Sequence, residues 1–313
     1  MTTPLDPQMK AMLEVANAAG PAFLRAPTAQ EARAKMQQLV QARPVVKPEL
    51  HRIEDRKIPG PDSEIPVRIY TSTRDPKGIL VYFHGGGWVL GDLDIFDLSC
   101  RSLALAAGCV LVSVDYRLAP EHKFPAAPED CYAATKWVSA NAKSVGGDPA
   151  RIAVGGDSAG GNLATVTALM SRDRGGPALC FQLLVYPAIS AADDTPSQRE
   201  FADDGLILSR ADMEWFWGHY LRNRADASNP YACPDRATNL AGLPPALVLT
   251  ASHDPLRDEG ESYAEQLRRA GVPVTLTRYE GVTHGYFAFS DLLDKGKAAI
   301  REAGNALRAA FAK

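Results

Sequence analysis

A serine flanked by glycines offers the most specific chemistry in this chain. Ser158 lies in Gly156-Asp157-Ser158-Ala159-Gly160, which follows an apolar run (152–155) and precedes a helical pattern (162–172). The G-x-S-x-G pattern needs glycines because the turn from strand to helix is too sharp for side chains. Such a turn exposes the hydroxyl, and the N-terminus of the next helix favours developing negative charge. Ser158 is therefore the candidate nucleophile for acyl transfer; a glycine-rich turn with an incidental serine is the alternative.

A second glycine cluster, His84-Gly85-Gly86-Gly87-Trp88, directly follows the apolar run 78–83. Acyl transfer passes through a tetrahedral oxyanion, and one preorganised hydrogen-bond donor typically lowers its barrier by about 3 kcal/mol. Consecutive glycines let backbone N–H groups approach such an oxygen. We predict that Gly85, Gly86, Gly87 and Ala159, the residue after the serine, form an oxyanion hole. A flexible glycine turn is the alternative.

Three of the six histidines follow Ser158, as the chain order serine, acid, histidine requires of a general base. His219 lies in an aromatic helical run, where packing or pocket lining is its expected role. His253 immediately precedes an acid and is at best a neighbour of the reacting groups. His284 lies in the turn 281–285 after the last predicted strand, so we predict that it is the base.

The acid that orients the histidine is expected on the loop after the penultimate strand. Asp254, which follows the run 246–252, has that position. Its task is to accept the imidazole Nδ1–H, to fix the tautomer and to stabilise the imidazolium. Asp258 and Glu259 are rivals, although acids in the first turn of a helix are ordinary helix stabilisers.

These residues lie at the ends of short β-rich runs that alternate with longer helical ones. The runs predict strands at 67–70, 78–83, 110–114, 152–155, 181–186, 246–251 and 274–279. Several are apolar at consecutive positions, which favours strands covered on both faces of a mostly parallel sheet. The alternation predicts a doubly wound α/β fold with flanking helices.

Two segments interrupt this alternation. Residues 1–45 predict two amphipathic helices, and residues 188–234 form a long connection with an aromatic helix; both are predicted to cap a catalytic domain made of 46–187 and 235–313. Acids at 193, 194, 203 and 204 favour a solvated surface over a glycosidase pair. Candidate pocket-lining residues, with buried packing as the alternative for each, are Trp88, Leu206, Ile207, Trp215, Phe216 and Tyr286.

Composition argues against several other classes of protein. The 313 residues are 46% hydrophobic and 23% charged with a formal net charge of -3, so there is no basic excess for nucleic acid. No secretory signal or membrane-length apolar run is visible, and a cytoplasmic enzyme is expected. The five cysteines are odd in number and far apart, which favours reduced core residues. Metal and nucleotide motifs are missing, so we expect no metal and no organic cofactor.

Taken together, the motifs resemble those of the hormone-sensitive-lipase family of bacterial esterases (bacterial family IV), in its GDSAG subgroup. The resemblance rests on HGGGW at 84–88, DYRLAPEHKFPAAPED at 115–130, GDSAGGN at 156–162, DPLRDE at 254–259 and THGY at 283–286. It implies an α/β-hydrolase fold with a two-part helical cap, no cofactor and a carboxylesterase acting on small esters with short acyl chains. It also implies a Ser158–Asp254–His284 triad, an oxyanion hole at the HGG glycines and a possible homodimer.

Two other functions stay open. An amidase, deacetylase or peptidase would use the same triad on a nitrogen leaving group. A noncatalytic receptor for a small ligand, known on this fold where the histidine is lost, is disfavoured because His284 is present.

Overall fold

A single eight-stranded sheet organises the chain in a computed structural model that describes residues 3–18, 24–43, 45–192, 194–202 and 206–313. Its strands are β1 (Arg52–Pro59), β2 (Glu64–Thr71), β3 (Ile79–Phe83), β4 (Val110–Val114), β5 (Ile152–Asp157), β6 (Phe181–Val185), β7 (Ala246–His253) and β8 (Val274–Thr283). They lie in the order β1-β2-β4-β3-β5-β6-β7-β8. β1 and β2 pair antiparallel, and all pairs from β4 to β8 are parallel. The predicted mostly parallel α/β sheet is confirmed.

Helices cover both faces of this sheet. They are α1 (Pro7–Ala18), α2 (Ala29–Gln41), α3 (Asp97–Ala107), α4 (Ala126–Ala140), α5 (Ala159–Asp173), α6 (Pro196–Glu200), α7 (Arg210–Tyr220), α8 (Arg257–Arg269) and α9 (Asp294–Phe311), with short 3-10 turns at Ala142–Val145, Arg224–Ser228 and Pro234–Arg236. α4, α5 and α8 pack into one apolar core and α3 and α9 into another. Every residue of β3, β4, β5 and β6 is buried, as their continuous apolar runs predict.

All seven predicted strands are present, but β1 was not singled out. Only Ile58 is buried among its eight residues, because β1 lies at the edge of the sheet and most of its side chains are exposed or half-buried. A strand of this kind carries little apolar patterning. The prediction therefore lacked the hydrophobic signal on which it depended.

The carboxyl ends of the parallel strands meet at one edge, where ligands bind in folds of this kind. The loops that follow β3, β5, β6, β7 and β8 begin there with His84, Ser158, Tyr186, Asp254 and His284. Residues separated by up to two hundred positions in sequence are thereby brought together.

Helices α2 and α7 lie over this edge. Arg33 of α2 donates to the carbonyl oxygens of Val89 (2.7 Å) and Ala119 (2.7 Å). Tyr220 of α7 stacks on Trp88, with ring centroids 4.3 Å apart. The two predicted N-terminal helices and the aromatic helix are present at α1, α2 and α7.

Of the four acids at 193, 194, 203 and 204, only Asp194 lies within the described residues, where it pairs with Arg199. Within those same ranges no helix is both long and apolar enough to cross a membrane. All five cysteines are described and free, and only Cys180 is not fully buried.

Candidate active site

The backbone at Ser158 forms a strained turn between β5 and α5. Its φ of 56° and ψ of -120° are unusual for a residue with a side chain. The glycines are required on both sides, since a Cβ at Gly156 would overlap the Gly160 backbone and one at Gly160 would overlap Phe83 O. The turn is held by a hydrogen bond from Ser158 N to Val185 O at 2.9 Å.

Ser158, His284 and Asp254 form one chain of hydrogen bonds. His284 Nε2 lies 2.9 Å from Ser158 Oγ, and His284 Nδ1 lies 2.7 Å from Asp254 Oδ2. Because a carboxylate only accepts, Nδ1 carries the proton and Nε2 is left to accept from the serine. Asp254 is fully buried, and its other oxygen accepts from Leu256 N at 2.8 Å.

The loop that carries His284 is fixed from both sides. Gly281 N donates to Ser252 Oγ at 2.7 Å, and Gly281 O accepts from Asp6 N at 2.8 Å. The side chain of Thr283 also contacts Met9 of α1. The N-terminal segment therefore supports the position of the histidine.

The two rival acids and the rival histidine have other partners. Asp258 Oδ2 accepts from Ser197 N at 2.8 Å, and Glu259 Oε1 accepts from Ile189 N at 2.7 Å. They anchor the segment after β6, a role that the helix-stabiliser interpretation missed. His253 bonds through Nδ1 to Ser252 Oγ at 2.8 Å, not to the serine nucleophile candidate.

The four residues predicted to form an oxyanion hole differ in the state of their N–H groups. Gly85 N donates to Asp157 Oδ1 at 3.1 Å, so this group is engaged and is not free to face an oxyanion. Gly86 (φ 106°) and Gly87 (φ 60°) adopt conformations that favour glycine. Both line the same pocket as Ser158 and Ala159. The prediction for Gly85 is therefore revised, and Gly86, Gly87 and Ala159 remain candidates.

Burial fixes the charge state of the glycine turn's neighbour, His84. Its ring stacks between Phe96 and Tyr116, with centroids 5.1 and 4.4 Å away. Burial lowers the pKa of His84 to about 4, so the ring is neutral near neutral pH. Nδ1 lies 2.7 Å from Gly85 O and donates to it, because a carbonyl oxygen only accepts.

A narrow apolar pocket with a cavity volume of about 90 Å³ opens onto Ser158. It is lined by Leu24, Met36, Gly86, Gly87, Trp88, Phe96, Asp157, Ser158, Ala159, Tyr186, Ala188, Ile207, Leu208, Met213, Phe216, His284, Gly285, Ala288 and Phe289. Of the predicted lining residues, Trp88, Ile207 and Phe216 are present. Leu206 and Trp215 are half-buried outside this lining, and Tyr286 is buried behind it against Tyr186.

Sequence reasoning missed the lining residues that lie outside the motifs. Tyr186 and Ala188 follow β6 directly, and the rule that ligands bind at the carboxyl ends of parallel strands would have found them. Tyr186 has a positive φ of 34°, and its ring centroid lies 4.5 Å from that of His284. Leu24 and Met36 carry no comparable signal, because only tertiary packing brings the N-terminal segment to the pocket.

A second cavity, of about 290 Å³, is polar and lies beside the end of β7, directly before Asp254. Its lining includes Ser252, His253, Arg257 and Arg278, but not Ser158. Arg257 pairs with Glu200 at 3.1 Å, and Arg278 pairs with Glu261 at 2.5 Å. Both arginines of this cavity are thus paired with neighbouring acids, and the candidate nucleophile Ser158 lies in the other pocket.

Comparison with known proteins agrees with this fold. A family model described as alpha/beta hydrolase fold matches residues 80–288, more than half of the chain. The chain belongs to this α/β-hydrolase family, among its carboxylic ester hydrolases. It is 44% identical to the carboxylesterase NlhH of Mycobacterium tuberculosis, with 96% of each chain covered.

Solved structures give the same result. A thermostable esterase from Pseudomonas putida superimposes with a TM-score of 0.93 at 38% identity, with 99% of each chain covered. A hyperthermophilic esterase from Pyrobaculum calidifontis gives a TM-score of 0.91 at 41% identity, with 98% of each chain covered.

Proposed function

We propose that this chain hydrolyses short- to medium-chain carboxylic esters with Ser158 as nucleophile, His284 as general base and Asp254 as the residue that orients the histidine. The observation that carries the proposal is the bond chain of 2.9 Å and 2.7 Å through the two imidazole nitrogens. A nucleophile, a base and an orienting acid in hydrogen-bond contact are what acyl transfer requires.

The reaction has two steps. Ser158 Oγ attacks the ester carbonyl carbon while His284 Nε2 takes its proton, and the carbonyl oxygen becomes an oxyanion facing the N–H groups of Gly86, Gly87 and Ala159. Collapse of this intermediate breaks the bond to the alcohol, which receives the proton from His284. Water, deprotonated by His284, then attacks the acyl-enzyme carbonyl carbon. The bond to Ser158 Oγ breaks, Oγ receives the proton back from His284, and the carboxylic acid is released.

The pocket supports small and uncharged substrates. Asp157 and His284 are the only acidic or basic residues of its lining, and the rest present mostly apolar surface. A cavity of about 90 Å³ suits a short acyl chain. Residues 1–45 and 188–234 are proposed as the two parts of a cap over the catalytic domain formed by 46–187 and 235–313. The contacts of α2 and α7 with the glycine turn support this division.

Two further proposals concern the setting of the enzyme. We propose a cytoplasmic location, because five unpaired cysteines are compatible with a reducing compartment. We propose a homodimer through β8, which pairs only with β7 among the described strands and is an edge of the sheet. Light scattering on the purified protein measures the oligomeric state directly.

The test is an initial-rate series on p-nitrophenyl esters from acetate to palmitate with wild type, Ser158→Ala and Ser171→Ala. Ser171 is a matched control, because it is a buried serine on α5 outside the pocket lining. We expect fast turnover of the short esters and a loss of about a millionfold in kcat for Ser158→Ala alone. Full activity in Ser158→Ala would contradict the proposal.

The two alternatives give different results in the same assays. An amidase would turn over a matched p-nitroanilide faster than the ester of the same acyl group. A noncatalytic receptor would bind a small ligand but would not react with a fluorophosphonate serine probe.

A further inference from the structure

Asp157, the residue before the nucleophile, makes two buried hydrogen bonds that the reaction scheme above does not use. Its Oδ1 accepts from Tyr82 OH at 2.7 Å and from Gly85 N at 3.1 Å. Asp157 ends β5, Tyr82 lies in β3, and Gly85 lies in the glycine turn after β3. One carboxylate oxygen therefore connects the nucleophile turn to the glycine turn.

The hydrogen bond to Asp157 fixes Gly85, which precedes the candidate oxyanion donors Gly86 and Gly87. The N–H of Gly85 is bound by Asp157, and its carbonyl oxygen is bound by His84 Nδ1 at 2.7 Å. With both backbone groups of Gly85 held, the N–H groups of Gly86 and Gly87 are the next along the chain. A glycine turn has little intrinsic stiffness, so such anchoring determines where those donors point.

We propose that Asp157 is a positioning residue for the oxyanion hole, which holds Gly85 through Oδ1 so that the N–H groups of Gly86, Gly87 and Ala159 converge on the substrate oxygen. This inference rests on the proposed function and adds a residue to it. What Asp157 supplies is an acceptor oxygen in a fixed place, because a donor helps only when it lies about 2.7–3.1 Å from the oxyanion.

The negative charge of Asp157 has a separate effect. Asp157 lines the pocket, where a second negative charge would oppose a developing oxyanion. Burial raises its pKa to about 6, and the hydrogen bond from Tyr82 opposes this rise. The titratable groups that face it from neighbouring elements are Tyr82, Cys100, Tyr116, Tyr186 and His284. Only His284 among them can carry a positive charge, and its proximity opposes the rise in the pKa of Asp157.

Asp157→Asn and Asp157→Leu separate the acceptor from the charge. The amide keeps an acceptor oxygen, so kcat stays within about threefold of wild type, whereas leucine loses it and kcat falls about a hundredfold, the size of effect seen when one oxyanion donor is lost. KM for p-nitrophenyl butyrate stays within about threefold in both. Inactivation by a p-nitrophenyl alkylphosphonate, whose phosphoryl oxygen occupies the same hole, slows in parallel with kcat.

A pH profile adds a readout that a merely structural role would not move. Burial raises the pKa of Asp157 to about 6, so Asp157→Asn removes the titration of this carboxylate from the pH profile of kcat/KM. Thr165→Val is the control: it removes a buried hydrogen bond of 2.9 Å between α5 and Tyr263, away from the pocket lining, and leaves kcat and the profile unchanged.

A folded Asp157→Leu protein with wild-type kcat would overturn the inference, as would equal losses in the asparagine and leucine variants. If Asp157→Leu does not fold, Asp157→Ser replaces it, since a shorter side chain cannot reach Gly85 N, and wild-type kcat in that variant overturns the inference as well. Failure of this inference leaves wild type active on esters. Failure of the proposed function leaves wild type itself inactive.

Discussion

Replacing Asp254 by asparagine changes one atom of the site and is expected to reverse the tautomer of His284. In the wild type, Oδ1 accepts from Leu256 N at 2.8 Å and Oδ2 accepts from His284 Nδ1 at 2.7 Å. An asparagine has a single acceptor oxygen. The backbone N–H of Leu256 can only donate, so it retains that oxygen and the amide NH2 faces His284.

The consequence is that His284 adopts the wrong tautomer for catalysis. With a donor opposite Nδ1, the neutral ring places its proton on Nε2 and can no longer accept the proton of Ser158. Asp254 is fully buried, so water does not replace the lost carboxylate. The same substitution in a serine-protease triad lowers kcat by about ten-thousandfold. At 1.36 kcal/mol for each tenfold, this is roughly 5 kcal/mol of barrier.

The assay is kcat and KM for p-nitrophenyl butyrate with wild type, Asp254→Asn and Asp258→Asn. We expect the loss in kcat for Asp254→Asn with KM nearly unchanged, since the carboxylate acts through the histidine and does not contact substrate. Asp258→Asn is the matched control, because its carboxylate binds Ser197 N at 2.8 Å rather than the histidine. A tenfold loss or less in Asp254→Asn would refute the argument. A large loss in Asp258→Asn alone would give the orienting role to that residue.

Two further substitutions test the pocket and the buried acid beneath the segment after β6. Phe216→Ala removes a ring that lies directly on Gly87 and is 2% exposed. We expect kcat/KM for longer acyl esters to rise relative to butyrate, and the free energy of unfolding to fall by about 3–5 kcal/mol. An unchanged dependence of kcat/KM on acyl chain length would contradict this. Burial raises the pKa of Glu259 well above its usual range, so the folded state binds a proton more tightly than the unfolded state. The free energy of unfolding therefore falls as the pH rises above the pKa that Glu259 has in the unfolded chain, by up to about 1.4 kcal/mol per pH unit. Urea unfolding at pH 5 and pH 8 should show a weaker decline in Glu259→Gln than in wild type, and parallel slopes in the two proteins would argue against it.

The sheet could be predicted because its central strands are buried on both faces and their apolar runs have no other explanation. β4 was predicted with its observed ends at Val110 and Val114, since a polar or glycine-containing segment bounds it on each side. The edge strand β1 was not predicted, because a pattern of apolar residues reflects burial and not backbone pairing, and most of β1 is not buried. The residues with chemistry were found for a related reason, as each directly follows a recognisable strand.

The pocket walls could not be predicted in the same way. Trp215 and Phe216 are neighbours on α7, both aromatic, yet only Phe216 lines the pocket, while Trp215 packs against His219 with ring centroids 4.3 Å apart. Consecutive helical residues point about 100° apart, and the sequence does not state how the helix is rotated on the sheet. That rotation depends on the stacking of Tyr220 on Trp88, a contact between distant parts of the chain.

The first turn of α8 shows which role of its acids the sequence did not reveal. Asp254 precedes this helix and binds the histidine, while Asp258 and Glu259, one turn later, bind Ser197 and Ile189 of the segment after β6. The dipole argument treats Asp258 and Glu259 as ordinary helix stabilisers, so it gives no sign of their contacts with the segment after β6. The structure distinguishes the three acids by direction: one points to the histidine and two point to the base of the proposed cap. Because residues 254–259 carry both sets of contacts, the orientation of His284 and the attachment of the proposed cap depend on the same piece of backbone.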